Sequence, residues 1–122
     1  MLGWSFLSLN IQMSVKKNIL LIRLKGELDQ FGSNKIKTRV SEVMNKYKIK
    51  HLIINFENLD FMDSTGIGFM IGRYYDVKKN GGRVIICSMN NIIKRIFNIS
   101  GLQKICSVVK SEKEAYEMVG VN

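Results

Sequence analysis

Apolar and polar positions alternate in period along the chain, and the changes of period mark elements. Phe6 to Val15 shows loose alternation and predicts a strand at a sheet edge. Asn18 to Lys25 (NILLIRLK) is a compact apolar run and predicts a strand buried on most of both faces. Lys16, Lys17 and Asn18 between them predict a short hairpin turn. Gly26 to Ser33 is polar and glycine-marked and predicts a loop. Ile36, Val40, Val43, Met44 and Tyr47 then recur at helical spacing, which predicts a helix from Ser33 to Lys48 with Ser33 as its N-cap.

The same alternation repeats downstream. His51 to Phe56 predicts a strand. Ile67, Met70, Ile71, Tyr74 and Val77 mark the core face of a helix that starts near Ser64 and stops at Asn80-Gly81-Gly82. Arg83 to Ser88 predicts a buried strand, and Ile92, Ile93, Ile96 and Phe97 a short helix ending near Ser100-Gly101. Ile105 to Val109 predicts a last strand. Ser111-x-x-Glu114 is a capping-box pattern opening a final helix through Ala115, Met118 and Val119. The order is β-β-α-β-α-β-α-β-α. Strands separated by helices require right-handed crossovers and parallel pairing, whereas the opening pair is close enough in sequence to be antiparallel. The fold class is therefore α/β, a mixed sheet with about four helices packed on it.

Composition narrows the function classes. The chain has 122 residues, no proline, 46% apolar and 24% charged positions. These values fit one globular domain, residues 1–122, and exclude a disordered chain, a collagen or a disulfide scaffold. Cys87 and Cys106 lie in apolar runs and read as buried hydrophobes. No apolar run approaches a membrane span. The N-terminus lacks a basic region and a cleavage site, so the cytoplasm is the expected compartment, with no membrane partner. The formal charge is +9, from 19 Lys and Arg against 10 Asp and Glu. Those cations are scattered in short pairs, without the arginine stripe and interleaved aromatics of a nucleic-acid footprint, so DNA is not an expected partner.

Chemistry concentrates in Asn58 to Gly68 (NLDFMDSTGIG), between a strand and a helix. Ligands and modifications gather where strand ends meet helix starts. Ser64 is positioned as the helix N-cap, beside free backbone N–H groups that favour an anion. A phosphate there would add about −1.5 to −2 charges next to Asp63. As an alternative, Asp63 and Ser64 serve only as a capping pair. A nucleophilic Ser64 would need a base, and the lone histidine, His51, belongs at the opposite end of the strand, so an enzyme is not expected. No His, Cys and carboxylate cluster points to a metal, and no cofactor is expected. Gly66, Gly68 and Gly72 have the wrong spacing for a dinucleotide fingerprint. Gly68 and Gly72, four apart on one helical face, suggest close approach by a neighbouring element, within the chain the sheet, or by a partner. A response-regulator receiver is excluded by Ser64-Thr65 after Asp63 and by the absence of a lysine ending the strand at Ser88.

These residues also carry a resemblance. Leu24 to Asp29 (LKGELD), Phe61 to Gly68 (FMDSTGIG), Gly72-Arg73-Tyr74, Asn80-Gly81-Gly82, Ile93 to Leu102 (IKRIFNISGL) and the ending Gly120-Val121 resemble the anti-sigma factor antagonists, small STAS-domain proteins. The likeness is nearest to the sporulation members of the sigma factor F pathway and runs from about Leu9 to Gly120. Residues 1–8 extend beyond the family's usual start. The resemblance implies a regulatory module without enzyme activity. Its unphosphorylated form would bind an anti-sigma factor that is also a serine kinase, and so release the sigma factor. Phosphorylation of Ser64 would end that contact, and a PP2C-type phosphatase would restore it. Asp63, Thr65 and Gly66 belong to the implied partner-binding loop, and Glu27 and Asp29 to the acidic loop beside it. Thr65 stands where general-stress members carry threonine, which keeps a general-stress antagonist or another STAS phospho-switch as the alternative. A nucleotide-binding α/β protein is the remaining alternative. Some family members bind nucleotides, so weak binding without turnover is compatible with the resemblance.

Overall fold

A computed structural model describes residues 2–6 and 8–120. Met1, Leu7, Val121 and Asn122 lie outside the described residues, and with them parts of the first predicted strand and of the Gly120-Val121 ending. Among the described residues six strands form one sheet in sequence order. They are β1 (Leu2–Phe6), β2 (Leu9–Lys16), β3 (Ile19–Leu28), β4 (His51–Met62), β5 (Val84–Cys87) and β6 (Ser107–Val109). β1, β2 and β3 pair antiparallel, and β3, β4, β5 and β6 pair parallel. The mixed α/β sheet with an antiparallel opening is thus as expected. The edge is not. β1, from the N-terminal extension, covers β2 with Trp4 opposite Ile11 and Phe6 opposite Leu9, so β2 is an interior strand. This agrees with its pattern, in which Leu9, Ile11 and Met13 are buried and alternate with exposed residues.

α1 (Gln30–Tyr47), α2 (Ser64–Lys78) and α3 (Asn91–Ser100) bury their apolar sides in the larger core with Leu20, Ile22, Leu52, Ile54 and Phe56. α4 (Glu112–Met118) lies against a smaller cluster of Ile19, Leu21, Ile53, Ile85 and Cys87, through Ala115. β3, β4 and β5 therefore read as continuous apolar runs because both faces are covered.

The last strand starts at Ser107 rather than Ile105, and three boundaries near Ser64 differ from the sequence reading for one physical reason. β3 continues through the expected Gly26–Ser33 loop to Leu28, and α1 starts at Gln30 with Asp29, not Ser33, as N-cap. β4 runs on to Met62, so Asn58 to Met62 is strand rather than loop. α2 is capped by Asp63, with Ser64 as its first helical residue. In each case parallel pairing persists beyond the apolar run, carried by backbone bonds across register shifts after Arg23 and Gly26. Gly26 sits at φ +105, and a Cβ there would collide with the Ser8 carbonyl.

The helix faces also need correction. α2 buries Phe69, Met70, Arg73 and Val77, whereas Ile71 is exposed and Ile67 and Tyr74 are half-buried. Gly68 and Gly72 meet nothing a Cβ would touch, so the expected close approach of the sheet is absent there. It occurs at Gly82, where a Cβ would collide with the Lys50 carbonyl, and at Gly66. In α3, Ile93 and Phe97 are buried and Ile92 faces solvent. Asn90 fastens this helix. Its Oδ1 accepts from the Ile93 N–H at 2.9 Å, and its Nδ2 donates to the Leu59 carbonyl at 2.7 Å. The final helix opens as predicted, with the Ser111 hydroxyl accepting from the Glu114 N–H.

Candidate functional site

The long β3 and β4 strands end side by side, Glu27 opposite Phe61 and Leu28 opposite Met62. Each then turns into a helix through an aspartate. Asp29 Oδ1 accepts from the Gly32 N–H at 2.9 Å, and its Oδ2 accepts from the Ser8 hydroxyl at 3.0 Å. Asp63 Oδ1 accepts from the Thr65 N–H at 2.9 Å, the Gly66 N–H at 3.0 Å and the Thr65 hydroxyl at 2.6 Å. Desolvation raises the Asp63 pKa, but the bonds from Thr65 and Gly66, helped by the nearby Gln30 backbone amide, outweigh it and hold the carboxyl below its ordinary value. The Asp63 carboxylate thus closes the first turn of α2, while the residue's N–H, 3.3 Å from the Leu28 carbonyl, ties it to the end of β3.

The two neighbouring hydroxyls consequently differ. Thr65 Oγ1 is spent on the Asp63 cap. Ser64 is exposed, and among the described residues its Oγ has no hydrogen-bond partner. The helix N–H groups expected to receive an anion are also taken: Thr65 and Gly66 donate to the Asp63 carboxylate and Ile67 to the Asp63 carbonyl at 3.0 Å. Ser64 therefore presents its hydroxyl outward rather than into the helix end.

Of the site residues expected from sequence, Glu27, Asp29, Asp63, Ser64 and Thr65 come together at this end of the sheet. Gly66, expected to face a partner, is buried. A Cβ there would lie 2.6 Å from the Leu28 carbonyl and from Met62 Cγ, so its role is to seat α2 against β3. Two features escaped the sequence reading. Ser8, in the N-terminal extension, pins the acidic loop by accepting from the Glu27 N–H at 2.8 Å and donating to Asp29. Phe31 and Phe61, 47% and 46% exposed, add apolar surface beside the acids. Only the placement of large aromatics next to loop acids could have suggested them.

Other chemistry is placed away from Ser64. His51 starts β4, at the far end from Ser64, and its Nδ1 accepts from the Arg83 N–H at 3.0 Å. Burial pushes the Cys87 and Cys106 thiols up to about 11 and about 12. Among the described residues no three His, Cys or carboxylate groups are placed to hold a metal, and no helix is long and apolar enough to cross a membrane.

The STAS-domain model matches residues 10–115. An anti-sigma F factor antagonist of Paenibacillus polymyxa is 33% identical over 109 residues, 89% of this chain and 93% of that protein. The solved structure of the anti-sigma factor antagonist SpoIIAA in its unphosphorylated form has a TM-score of 0.79 at 29% identity, covering 92% of this chain and 98% of that one. The Bacillus cell fate determinant SpoIIAA in its phosphorylated form has a TM-score of 0.71 at 32% identity, covering 89% and 98%.

Proposed function

We propose that this chain, which belongs to the STAS-domain family, is an anti-sigma factor antagonist switched by phosphorylation at Ser64. The observation that carries the site assignment is the inequality of two adjacent hydroxyls: Thr65 is bonded to the Asp63 cap and Ser64 is exposed. The relatives support the class of partner, an anti-sigma factor, and one of them is named for sigma F. In this reading the anti-sigma factor is itself a serine kinase. Ser64 Oγ attacks the γ-phosphorus of ATP held by that kinase, an Oγ–P bond forms as the bond from this phosphorus to the β,γ-bridging oxygen breaks, the hydroxyl proton passes to a base of the kinase, and ADP leaves. The antagonist supplies no catalytic group; it supplies a hydroxyl held at a fixed place. A PP2C-type phosphatase hydrolyses the phosphate and resets the switch.

Glu27, Asp29 and Thr65 form the rim that meets the partner, with Phe31 and Phe61 as apolar contacts. Asp63 holds the helix start rigid beneath them, and Gly66 acts only by seating it. A phosphate of about −1.5 to −2 charges at Ser64 stands beside Asp63, where the partner meets a neutral hydroxyl when Ser64 is unmodified, so it adds bulk and unpaired negative charge at a contact built for neither. A hundredfold loss of affinity needs only about 2.7 kcal/mol, within the range of one mispaired charge in a desolvated interface.

The test is incubation with the anti-sigma kinase and ATP, followed by mapping of the phosphate. Ser64 is expected to carry it, and Ser64→Ala to bind the kinase without accepting phosphate. Phosphate placed mainly on Thr65 would overturn the assignment.

A further inference from the structure

Along the chain the lysines fall in short pairs, but the fold gathers many of them. β3, β4 and β5 start at the end of the sheet opposite Ser64, where α1 and α2 finish. The connecting tips are knitted together there. The Lys50 and His51 N–H groups both donate to the Asn18 carbonyl, at 2.7 and 3.2 Å, and the Leu52 N–H donates to the Arg83 carbonyl at 2.9 Å. Lys17, Lys46, Lys48, Lys50, Lys79 and Arg83 stand exposed on these tips. Among the described residues three acids lie toward this end: Glu42, in the last third of α1 and 3.7 Å from Arg39 Nη1, Asp76 and Glu117. Asp76 is held by Arg73 Nε at 2.9 Å, and Glu117 lies at the end of α4. Glu27, Asp29, Glu57, Asp60 and Asp63 lie toward the other end, where the strands finish.

Helix dipoles explain part of this. Lys46, Lys48 and Lys79 complement the C-terminal ends of α1 and α2. Lys17, Lys50 and Arg83 sit beside strand starts and have no such role. Between the tips lies a cleft of about 440 Å³ floored by Met44 and Ile49 and lined by Asn18, Asn45, Lys48, Lys50 and Asn80, whose amide N–H and ammonium groups can donate to phosphate oxygens. Tyr47 is 43% exposed on the same end, with Lys46 Nζ 5.4 Å from its ring centre.

We propose that this end of the fold docks on the anionic headgroup layer of a lipid bilayer. Two observations favour a bilayer over a nucleic acid. The cations are lysines with a single arginine, which suits a diffuse negative field rather than paired readout of phosphates. Tyr47 beside Lys46 pairs an aromatic with a cation at headgroup depth, and Tyr75, 57% exposed near the end of α2, adds a second aromatic of the kind that sits at a membrane interface. Docking this way is independent of the switch. β4 spans the sheet from His51 to Met62, which sets Ser64 about 35 Å from the membrane, facing away from it.

Co-sedimentation of the full chain with vesicles tests this. Binding is expected to vesicles of phosphatidylglycerol and phosphatidylcholine in equal parts, not to phosphatidylcholine alone, and to weaken as salt rises. Each cation near such a surface is worth about a fivefold change in partitioning. The triple variant Lys48→Gln, Lys50→Gln, Lys79→Gln should therefore lose about a hundredfold. A matched triple variant elsewhere, Lys94→Gln, Lys110→Gln, Lys113→Gln, should lose much less. Circular dichroism of both variants checks that they are folded; if the tip variant does not fold, Lys50→Gln alone is expected to lose about fivefold. Equal loss in the two triple variants, absence of binding to anionic vesicles at low salt, or retention of duplex DNA in place of vesicles would overturn the proposal.

Discussion

At the scale of single residues, two aspartates decide how the site is built. Asp29 and Asp63 each end a strand and begin a helix, and each displaces a serine that the residue types made an equal candidate for the cap. Asn, Asp and Ser have nearly the same N-cap preference, so sequence could not rank Asp63 against Ser64 or Asp29 against Ser33. What ranks them is where pairing with the neighbouring strand stops, together with the attraction of a carboxylate for the helix dipole. Asp63→Ala should lower stability by about 1 kcal/mol, whereas Asp63→Asn should lose only part of that, since the amide oxygen still accepts. Urea denaturation of the two variants checks the order. The pH dependence has a definite sign. The Asp63 carboxyl is held below its ordinary value, so its contribution is complete above the usual aspartate range and is lost as pH falls through the lowered pKa. If Asp63→Ala were as stable as the parent chain, the cap would not be what fixes Ser64 in place.

At the scale of elements, the strongest sequence signals were the buried strands and the periodic helix faces, and these placed every crossover. The N-terminal strand was hidden, because its pattern is brief and carries Gly3 and Ser5 between apolar residues. Glycine roles were assigned to the wrong positions, since a close approach depends on a partner distant in sequence: Leu28 for Gly66 and Lys50 for Gly82. The same holds for the clasp on α4. Arg23 donates to both Glu112 carboxylate oxygens at 2.7 Å, and Asn55 Nδ2 adds a third bond at 2.6 Å. The bonds from Arg23 hold the Glu112 carboxyl below its ordinary value against the opposing effect of desolvation, with Asn55 adding to them. Since the folded pKa is depressed, the clasp is complete above the usual glutamate range and released as pH falls through the lowered value. α4 has seven residues and cannot be helical alone, so its order depends on this clasp and on Ala115. Glu112→Gln should speed amide exchange across residues 112–118 and leave β3 and β4 protected. Unchanged exchange in α4 would show that Ala115 packing alone suffices.

At the scale of the molecule, the site and the core share backbone but few side chains. The acidic rim is built on strand extensions beyond the sheet's paired centre, and the core beneath it is closed by Leu28, Leu59, Met62 and Phe69, all buried. A phosphate on Ser64 starts outside that core. The Asp63 carboxylate already occupies the Thr65 and Gly66 N–H groups, so the phosphate cannot turn inward without displacing it. It stays on the surface and acts through charge, and the disturbance travels only as far as the Asp63 bonds reach. Those bonds touch the first turn of α2 and, through the Asp63 N–H at 3.3 Å, the Leu28 carbonyl just before α1. Phosphorylated and unphosphorylated chains should therefore share one backbone. Amide shift changes are expected at residues 58–68 and, more weakly, at 28–32, and nowhere in the centre of the sheet. Ser64→Asp should reproduce the loss of binding only in part, having less charge and fewer acceptor oxygens than a phosphate. Comparison of amide spectra of the three forms decides the matter. Large shifts in Leu52–Phe56 or Val84–Cys87 would mean that the sheet itself repacks, and a switch working by surface charge would have to be given up.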